Sequence, residues 1–338
     1  MSIGTEQLLV EPPVAVEDVE VVPGEVAARS PLDLFWRRFR SDRVAMVSLV
    51  FIVLLILVAI LAHPVVSLIG VTGPNQPNNN CASFSNSSCA LDPFGQPLGP
   101  SSAHPFGVDE LGRDLVARVI YGARVSLEVA FISTGIAVLI GTLIGTMAGF
   151  FRGWVDSLLA RTMDIVLAFP ILLLAIGLAS ACSLGKGCLG GLITPGQVTL
   201  VVVIALSSWP YIGRIVRGQV LSIREKEFID AARSLGASNA RIMRKEVLPN
   251  LVAPIIVYTS LVLPTNVLYE AALSFLGVGV QPPTASWGQM ISDASGAYFP
   301  SAWWYMLFPG LALVLTVLAF NLVGDGLQDA LSPKAGRA

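Results

Sequence analysis

Long runs of apolar residues dominate the sequence and are separated by shorter polar stretches. The apolar positions do not alternate with polar ones as on a half-buried element. They follow one another over lengths close to the roughly 20 residues that a helix needs to cross a bilayer. Six such runs predict six transmembrane helices, at 44–62, 126–150, 163–181, 198–212, 251–276 and 304–323. The predicted fold class is therefore an all-α polytopic membrane protein.

The polar stretches divide the chain around these spans. Residues 1–33 are acidic and interrupted by prolines, so we expect a disordered tail; they lack the basic start and apolar run of a signal peptide. The membrane domain is predicted to cover 34–333, with a second short tail at 334–338. Within the domain lie a long loop at 63–125 and a basic, soluble-looking segment at 213–250.

Composition and charge add an orientation. Hydrophobic residues make up 54% of the chain and charged residues only 13%, against about 25% charged residues in an ordinary soluble domain. Of the 21 Lys and Arg residues, 17 lie before residue 44, after residue 324, or within 151–162 and 213–250, and four lie elsewhere. Because cytoplasmic segments are enriched in Lys and Arg, this distribution predicts that both ends of the chain are cytoplasmic.

All four cysteines lie in segments that this orientation places outside the cytoplasm, where disulfides persist. Four cysteines allow three pairings, and the local one joins Cys81 to Cys89 and Cys182 to Cys188. A metal site is the alternative, but neither spacing is CxxC and the chain has only two histidines. We therefore expect the two local disulfides and no metal site.

Small and ionisable residues inside the spans indicate helix contacts. Ala137, Gly141, Gly145 and Gly149 recur every four residues in the second span, which places them on one face where two backbones can approach closely. We expect this face to pack against a helix of the same chain or of a partner subunit. Glu270, in the fifth span, is a candidate for the lining of a transport pathway, with a cap or a helix contact as the alternative.

The segment between the fourth and fifth spans has the pattern of a docking site. Residues 226–235 predict a short amphipathic helix that ends at Gly236, and we expect Gly236 to adopt a backbone conformation that few other residues take easily. A second helix with basic residues on one side follows, and Pro249 begins the next span. Small residues on a short exposed helix favour docking into a groove of another protein over a plain solvated loop.

This segment resembles the EAA signature of bacterial ABC importer permeases, in which an acidic residue, two alanines and a glycine precede Leu-Pro. Asp230 stands where that family usually has Glu, and Glu246 stands where many of its members have an apolar residue. In that family the helix, called the coupling helix, docks on the ATPase subunit. The residues that carry the resemblance here are Glu227, Asp230, Ala231, Ala232, Gly236, Leu248 and Pro249.

Three further stretches are similar to the C-type subunit of the dipeptide/oligopeptide/nickel permease family: His104–Leu127, Ala272–Gly288 and Asn321–Leu327. The resemblance covers residues 30–333 and implies the type I ABC importer permease fold. The first stretch is charged and lies outside the cytoplasm. We expect it to form an interfacial helix that leads into the second span, with Arg118 and Arg124 reaching lipid headgroups.

The resemblance also implies a function and a set of partners. The chain would be a permease subunit of an ATP-driven, binding-protein-dependent importer of di- and oligopeptides in the bacterial cytoplasmic membrane. It would form a heterodimer with a B-type permease subunit and work with ATPase subunits and an extracytoplasmic peptide-binding protein, in the lipid bilayer and without nucleic acid. The chain lacks a GxxxxGK[ST] phosphate loop, so we expect no catalytic residue and no cofactor here, with ATP and Mg in the ATPase partners.

Three alternatives stay open at this point. The same architecture would also serve an importer of nickel or another chelated small solute. A stand-alone channel or secondary carrier fits the hydropathy but leaves the pattern of 226–250 unexplained. An intramembrane hydrolase would need a nucleophile and a base inside the bilayer, and neither histidine lies well inside a span.

Overall fold

The computed structural model describes residues 31–77, 90–92, 95–183, 188, 193, 196–296 and 301–331. The tail predicted at 1–33 lies outside these residues up to residue 30, and the tail predicted at 334–338 lies outside them entirely. Residues 31–33 belong to the first helix, and the predicted start of the membrane domain at residue 34 stays a prediction.

The described residues are helical apart from turns, short connections and isolated bridges. In chain order the helices are α1 Pro31–Ser41, α2 Arg43–Ile60, α3 Ala62–Ile69, α4 Leu115–Phe150, α5 Trp154–Ala168, α6 Ile171–Ser183, α7 Gln197–Arg224, α8 Glu227–Ser234, α9 Asn239–Ile242, a π-helical turn Met243–Val247, α10 Leu248–Phe275, α11 Trp287–Ser295 and α12 Trp303–Leu331.

Five stretches of helix are long and apolar enough to cross a membrane: α2, α4, α7, α9 to α10, and α12. The helices α5 and α6 meet that test only as a pair, and they are bent by 87° relative to each other. The third predicted span, 163–181, is therefore not one straight helix. The break falls at Phe169, whose extended backbone (φ −84°, ψ 138°) is the conformation that a following proline, Pro170, favours.

Two helices extend well beyond their apolar runs. The second span is predicted to begin at residue 126, but α4 begins at Leu115, because Asp114 caps it by accepting a hydrogen bond of 2.8 Å from the backbone N–H of Val116. The fourth span is predicted to end at residue 212, but α7 continues to Arg224. Hydropathy locates the part of a helix that crosses the bilayer, and it does not detect polar turns of the same helix outside it.

The helices form one bundle around α4. One apolar cluster joins α2, α4, α10 and α12 through residues that include Ile52, Leu127, Val267 and Phe320. A second cluster joins α4, α6, α7 and α10, and the short helix α11 packs between α10 and α12. Large apolar side chains are exposed on the outer sides of the spans, as they are where helices face lipid.

The face of small residues on α4 packs against α7. A Cβ atom at Gly141 would lie 2.7 Å from Cβ of Ile212, and one at Gly149 would lie 2.7 Å from Cβ of Val220. At Gly145 the backbone carbonyl of Gly213 lies so close that no side chain fits. Ala137 is fully buried at the same interface. The four small residues thus contact a helix of the same chain.

Candidate functional site

The segment with the coupling-helix signature projects from the end of the bundle where α4 and α7 end. Ile229 of α8 is fully buried in an apolar cluster with Ile242 and Val247, which fixes α8 onto the following helical segment. On the outer side, Phe228 is 42% exposed and Leu235 is 88% exposed. The buried side of α8 is therefore fixed by packing, and large apolar side chains are exposed on the opposite side.

The remaining signature residues of α8 lie on its exposed surface. Glu227, Asp230 and Ala231 are exposed, and Ala232 is half-buried. The Asp230 carboxylate lies 3.1 Å from the Arg233 guanidinium, one turn away on the same helix. Both groups are exposed, so this ion pair contributes little to stability, and either group is accessible to a partner.

Gly236 ends α8 in the left-handed conformation, with φ +78°. The backbone N–H of Gly236 donates to the carbonyl of Arg233 (2.9 Å), and that of Ala237 donates to the carbonyl of Ala232 (3.0 Å). These two bonds form the Schellman motif that terminates many helices at a glycine. The conformation expected for Gly236 is confirmed.

Behind α8 lies a small indentation of about 210 Å³. Its wall combines apolar and charged groups, which are Ala232, Leu235, Gly236, Ala237, Arg241, Ile242 and Glu246. Glu246, which departs from the apolar residue common in the family, is half-buried at this surface. The indentation and the exposed face of α8 form one continuous surface that a partner could contact.

Polar contacts join the helices of the bundle next to this surface. Arg224, at the end of α7, donates a hydrogen bond of 2.7 Å to the carbonyl of Phe150, the last residue of α4. Arg217 makes a two-fold hydrogen bond to Asp156 of α5, at 2.6 and 2.9 Å. On the other side, Leu248 and Pro249 open α10 directly after the π-helical turn. Helix α9 and the π-helical turn therefore continue into α10 without a loop between them.

A cavity of about 340 Å³ opens between α6, α7 and α10; we call it the central cavity. Aromatic, aliphatic and neutral polar side chains line it, and they are Ile171, Ser208, Tyr211, Ile215, Tyr258, Leu261, Val262, Thr265, Asn266 and Tyr269. Tyr211 is 58% exposed, so its ring is available to a molecule in the cavity. The lining suits a ligand with apolar surface and peptide-like hydrogen-bonding groups.

Two polar side chains of the cavity wall, Ser208 and Asn266, form a chain of hydrogen bonds with Thr134 behind it. The Ser208 hydroxyl donates to Oδ1 of Asn266 (2.9 Å), and Nδ2 of Asn266 donates to the Thr134 hydroxyl (2.9 Å). This chain of hydrogen bonds crosses from α7 through α10 to α4 and holds the three helices in register. Each of the three groups is buried and hydrogen-bonded, so none of them carries the cost of a buried, unpaired polar group. Together these bonds fix the position of the cavity wall.

Glu270 does not line the central cavity. It is fully buried and accepts a hydrogen bond of 2.9 Å from the Ser274 hydroxyl, with the hydroxyls of Ser126 and Ser286 also close to it. Ser286 is the N-cap of α11, so the carboxyl group sits where α4, α10 and the start of α11 meet. This position supports the helix-contact alternative, and the pathway role of Glu270 stays a prediction.

At the opposite end of the bundle, ionisable residues form a buried cluster. The Arg113 side chain contacts Asp109 at 2.6 Å, and Arg118 contacts the same carboxylate at 3.2 Å. Arg118 also donates to the carbonyl of Pro74 and is only 2% exposed. The expectation that Arg118 reaches lipid headgroups is therefore wrong, because the guanidinium is used to hold the polar segment onto α4. Arg124 is exposed.

Two carboxyl groups lie next to this cluster, and its charges affect their pKa values. Burial raises the pKa of Glu110, and the nearby carboxylates of Asp293 and Asp109 raise it further, against the opposing effect of Arg113 and Arg118. Burial likewise raises the pKa of Asp293. Glu110 and Asp293 therefore bind a proton more readily than free carboxyl groups do.

One of the two predicted disulfides is present among the described residues. Cys182 and Cys188 are bonded, with their Cα atoms 4.7 Å apart. Cys81 and Cys89 lie outside the described residues, so their pairing stays a prediction.

The central cavity was not predicted. Its residues come from three helices, and proximity of that kind cannot be deduced from one sequence. One signal was present: Tyr258, Thr265 and Tyr269 recur at intervals of seven and four within the fifth span, which puts polar groups on one face of an otherwise apolar helix.

Comparison with known families matches two separate segments of the chain. Residues 141–337 match the family described as the inner membrane component of binding-protein-dependent transport systems. Residues 30–85 match the N-terminal transmembrane domain of oligopeptide transport permease C.

Individual relatives agree with this match. The chain is 43% identical to a dipeptide transport system permease protein of Alkalihalophilus pseudofirmus, over 74% of this chain and 78% of that one. It is 45% identical to a glutathione transport system permease protein of Escherichia coli, over 70% of this chain and 74% of that one. Among solved structures, an inward-facing form of the MetNI methionine ABC transporter matches with a TM-score of 0.54 and 20% identity, covering 64% of this chain and 98% of that one.

Proposed function

The chain belongs to the family of binding-protein-dependent transport system inner membrane components, and on that premise we propose that it is a permease subunit of an ATP-driven importer of di- and oligopeptides. The proposed substrate class rests on sequence identity: the chain is 43–45% identical to permeases named for the transport of dipeptides and of glutathione. Dipeptides and glutathione are both small peptides. These names favour a peptide over nickel. The neutral, tyrosine-bearing wall of the central cavity agrees with a peptide substrate.

The coupling role rests on the shape of α8. A partner ATPase would dock on the surface formed by Glu227, Asp230, Ala231 and the exposed Phe228 and Leu235. Large apolar side chains surrounded by polar groups are the usual composition of a protein-binding surface. The ATPase partners would bind ATP and Mg, and this chain would bind neither.

The remaining partners follow from the same premise. A second, B-type permease subunit would supply the other wall of the pathway, and an extracytoplasmic binding protein would deliver the peptide. The distribution of Lys and Arg supports an orientation with both ends cytoplasmic, because 17 of the 21 lie in segments that this orientation places inside.

Reconstitution tests the proposal. The complete complex in liposomes should take up labelled di- and tripeptides only with ATP and binding protein present, and an excess of nickel should not compete. Uptake of nickel without peptide would keep the architecture and overturn the substrate. Peptide uptake by this chain alone, without ATPase subunits, would instead make it a carrier or channel.

A further inference from the structure

A second cavity lies on the same face of α10 as the central cavity, closer to the end that carries α8. It has a volume of about 450 Å³, and its wall includes Gln219, Pro254, Val257 and Gln328. We call it the vestibule. Tyr258 borders both the central cavity and the vestibule. Its half-buried side chain therefore stands between two spaces that follow one another along α10.

The two cavities share a chemical character that suits one continuous path. Every residue that lines them is apolar, aromatic, a hydroxyl-bearing residue or an amide, so the wall is neutral from end to end. A zwitterionic peptide would meet no fixed charge that traps either of its termini. Tyrosine hydroxyls and glutamine amides can exchange hydrogen bonds with peptide groups as these leave water.

Tyr258 also lies between two prolines inside α10. Pro254 and Pro264 lie on either side of it, and each removes one backbone hydrogen bond from the interior of the helix. Helices bend most easily at such positions. Tyr258 is about 15 Å along the axis from Leu248, where α10 joins the coupling segment without a loop.

We propose that Tyr258 is the gate of this chain's half of the pathway: its ring separates the central cavity from the vestibule, and movement of α10 displaces it. The inference rests on the proposed transport function and adds the route and the residue that closes it. The ring does not react with the substrate. The ring blocks or admits the substrate, depending on how the segment between Pro254 and Pro264 bends.

Accessibility of an engineered thiol tests this directly. Thr265→Cys places a thiol in the central cavity, and Gln328→Cys places one in the vestibule. In inside-out vesicles that hold the complete complex with a non-hydrolysable ATP analogue, an impermeant maleimide should label Gln328→Cys readily and Thr265→Cys slowly. Adding Tyr258→Leu should speed the labelling of Thr265→Cys about tenfold and leave that of Gln328→Cys unchanged.

Two control variants show whether faster labelling comes from loss of the Tyr258 ring in particular. Tyr211→Leu removes a ring that lines only the central cavity and should not speed the labelling, and Tyr258→Phe, which keeps the ring, should behave like the parent. Equal labelling of Thr265→Cys with and without the Tyr258 ring would overturn the gate, even if ATP-driven peptide uptake is normal. Absence of ATP-driven uptake by the parent complex would instead overturn the proposed function, whatever the labelling rates are.

Discussion

At the scale of single residues, Gly236 carries the sharpest expectation. Its φ of +78° costs about 1 kcal/mol for an ordinary L-residue, whereas a Cβ atom added at this position would have no neighbouring atom within 4 Å. Gly236→Ala should therefore strain the end of α8 without a clash, leaving the complex assembled but with reduced ATP-coupled uptake. Size-exclusion chromatography and uptake by proteoliposomes would measure the two effects separately.

Gly236→Asn is the matched control, because asparagine tolerates the left-handed conformation better than alanine. It should retain more uptake than Gly236→Ala although its side chain is larger. If both variants transport like the parent, the left-handed turn has no part in coupling. Gly236→Asp, which adds a charge beside the docking surface, should uncouple the complex more severely.

Glu110 leads to a prediction about pH. Burial raises its pKa above the ordinary value of 4.5, so between that value and the raised one the native state binds a proton more readily than the unfolded chain does. Stability then falls as pH rises through this window. Glu110→Gln should raise the melting temperature at neutral pH, and the gain should shrink towards zero as the pH falls below 4.5.

A thermal unfolding series from pH 4 to pH 8 in detergent measures this dependence; the range is chosen to run from about the ordinary carboxyl pKa to well above it. Glu227→Gln, which removes an exposed carboxylate at the other end of the molecule, is the control and should leave the melting temperature unchanged throughout. A gain for Glu110→Gln that is the same at every pH would exclude the ionisation of Glu110 as its cause.

At the scale of elements, the contact between α4 and α7 is the one most sensitive to added volume. A Cβ at Gly145 would overlap the backbone of Gly213 and lie 2.9 Å from Cβ of Val216. Gly145→Ala should therefore push the helices apart and destabilise the chain by about 1–3 kcal/mol, the usual range for overpacking. The melting temperature in detergent micelles would report the loss.

Gly135 provides the control on the same helix. A Cβ there meets nothing within 4 Å, so Gly135→Ala should be neutral or slightly stabilising, since alanine is the better helix former. Equal effects of the two substitutions would mean that helix propensity, and not the close approach of α4 to α7, determines stability at these positions.

Elements also mark the limit of what the sequence could predict. Each of the five helix stretches that are long and apolar enough to cross a membrane contains a predicted apolar run, and the four-residue spacing of small residues identified the packing face of α4, because both patterns are local. The start of α4 and the end of α7 were missed, because both lie in polar sequence, where an apolar pattern does not show contacts such as Arg118 with Asp109 or Arg224 with the Phe150 carbonyl. The 87° bend between α5 and α6 was also missed, although Pro170 marked its place.

At the scale of the whole molecule, the motifs identified the proposed docking surface better than they identified the residues of the proposed pathway. The coupling segment is contiguous in sequence, so its residues could be recognised together. The central cavity collects Ser208, Tyr211 and Asn266 from distant parts of the chain. Glu270, the most conspicuous polar residue of the fifth span, instead joins α4 to α11. The carboxyl group inside the span thus indicated a functional or structural contact, but the sequence did not indicate whether that contact is with a substrate or with another helix.

The architecture makes one prediction about how the two sites communicate. The surface on α8 and the segment of α10 that carries Tyr258 are connected by α9 and the π-helical turn, and the buried side chains of Ile229, Val247 and Leu251 hold this connection together. Two glycines inserted between Val247 and Leu248 should make it flexible. We expect that complex to assemble and to hydrolyse ATP while peptide uptake falls to background.

The same insertion after Gly70, at the exposed end of α3, should leave both activities intact. Full uptake with the insertion at Leu248 would mean that the motion of the ATPase reaches the pathway through α7 instead.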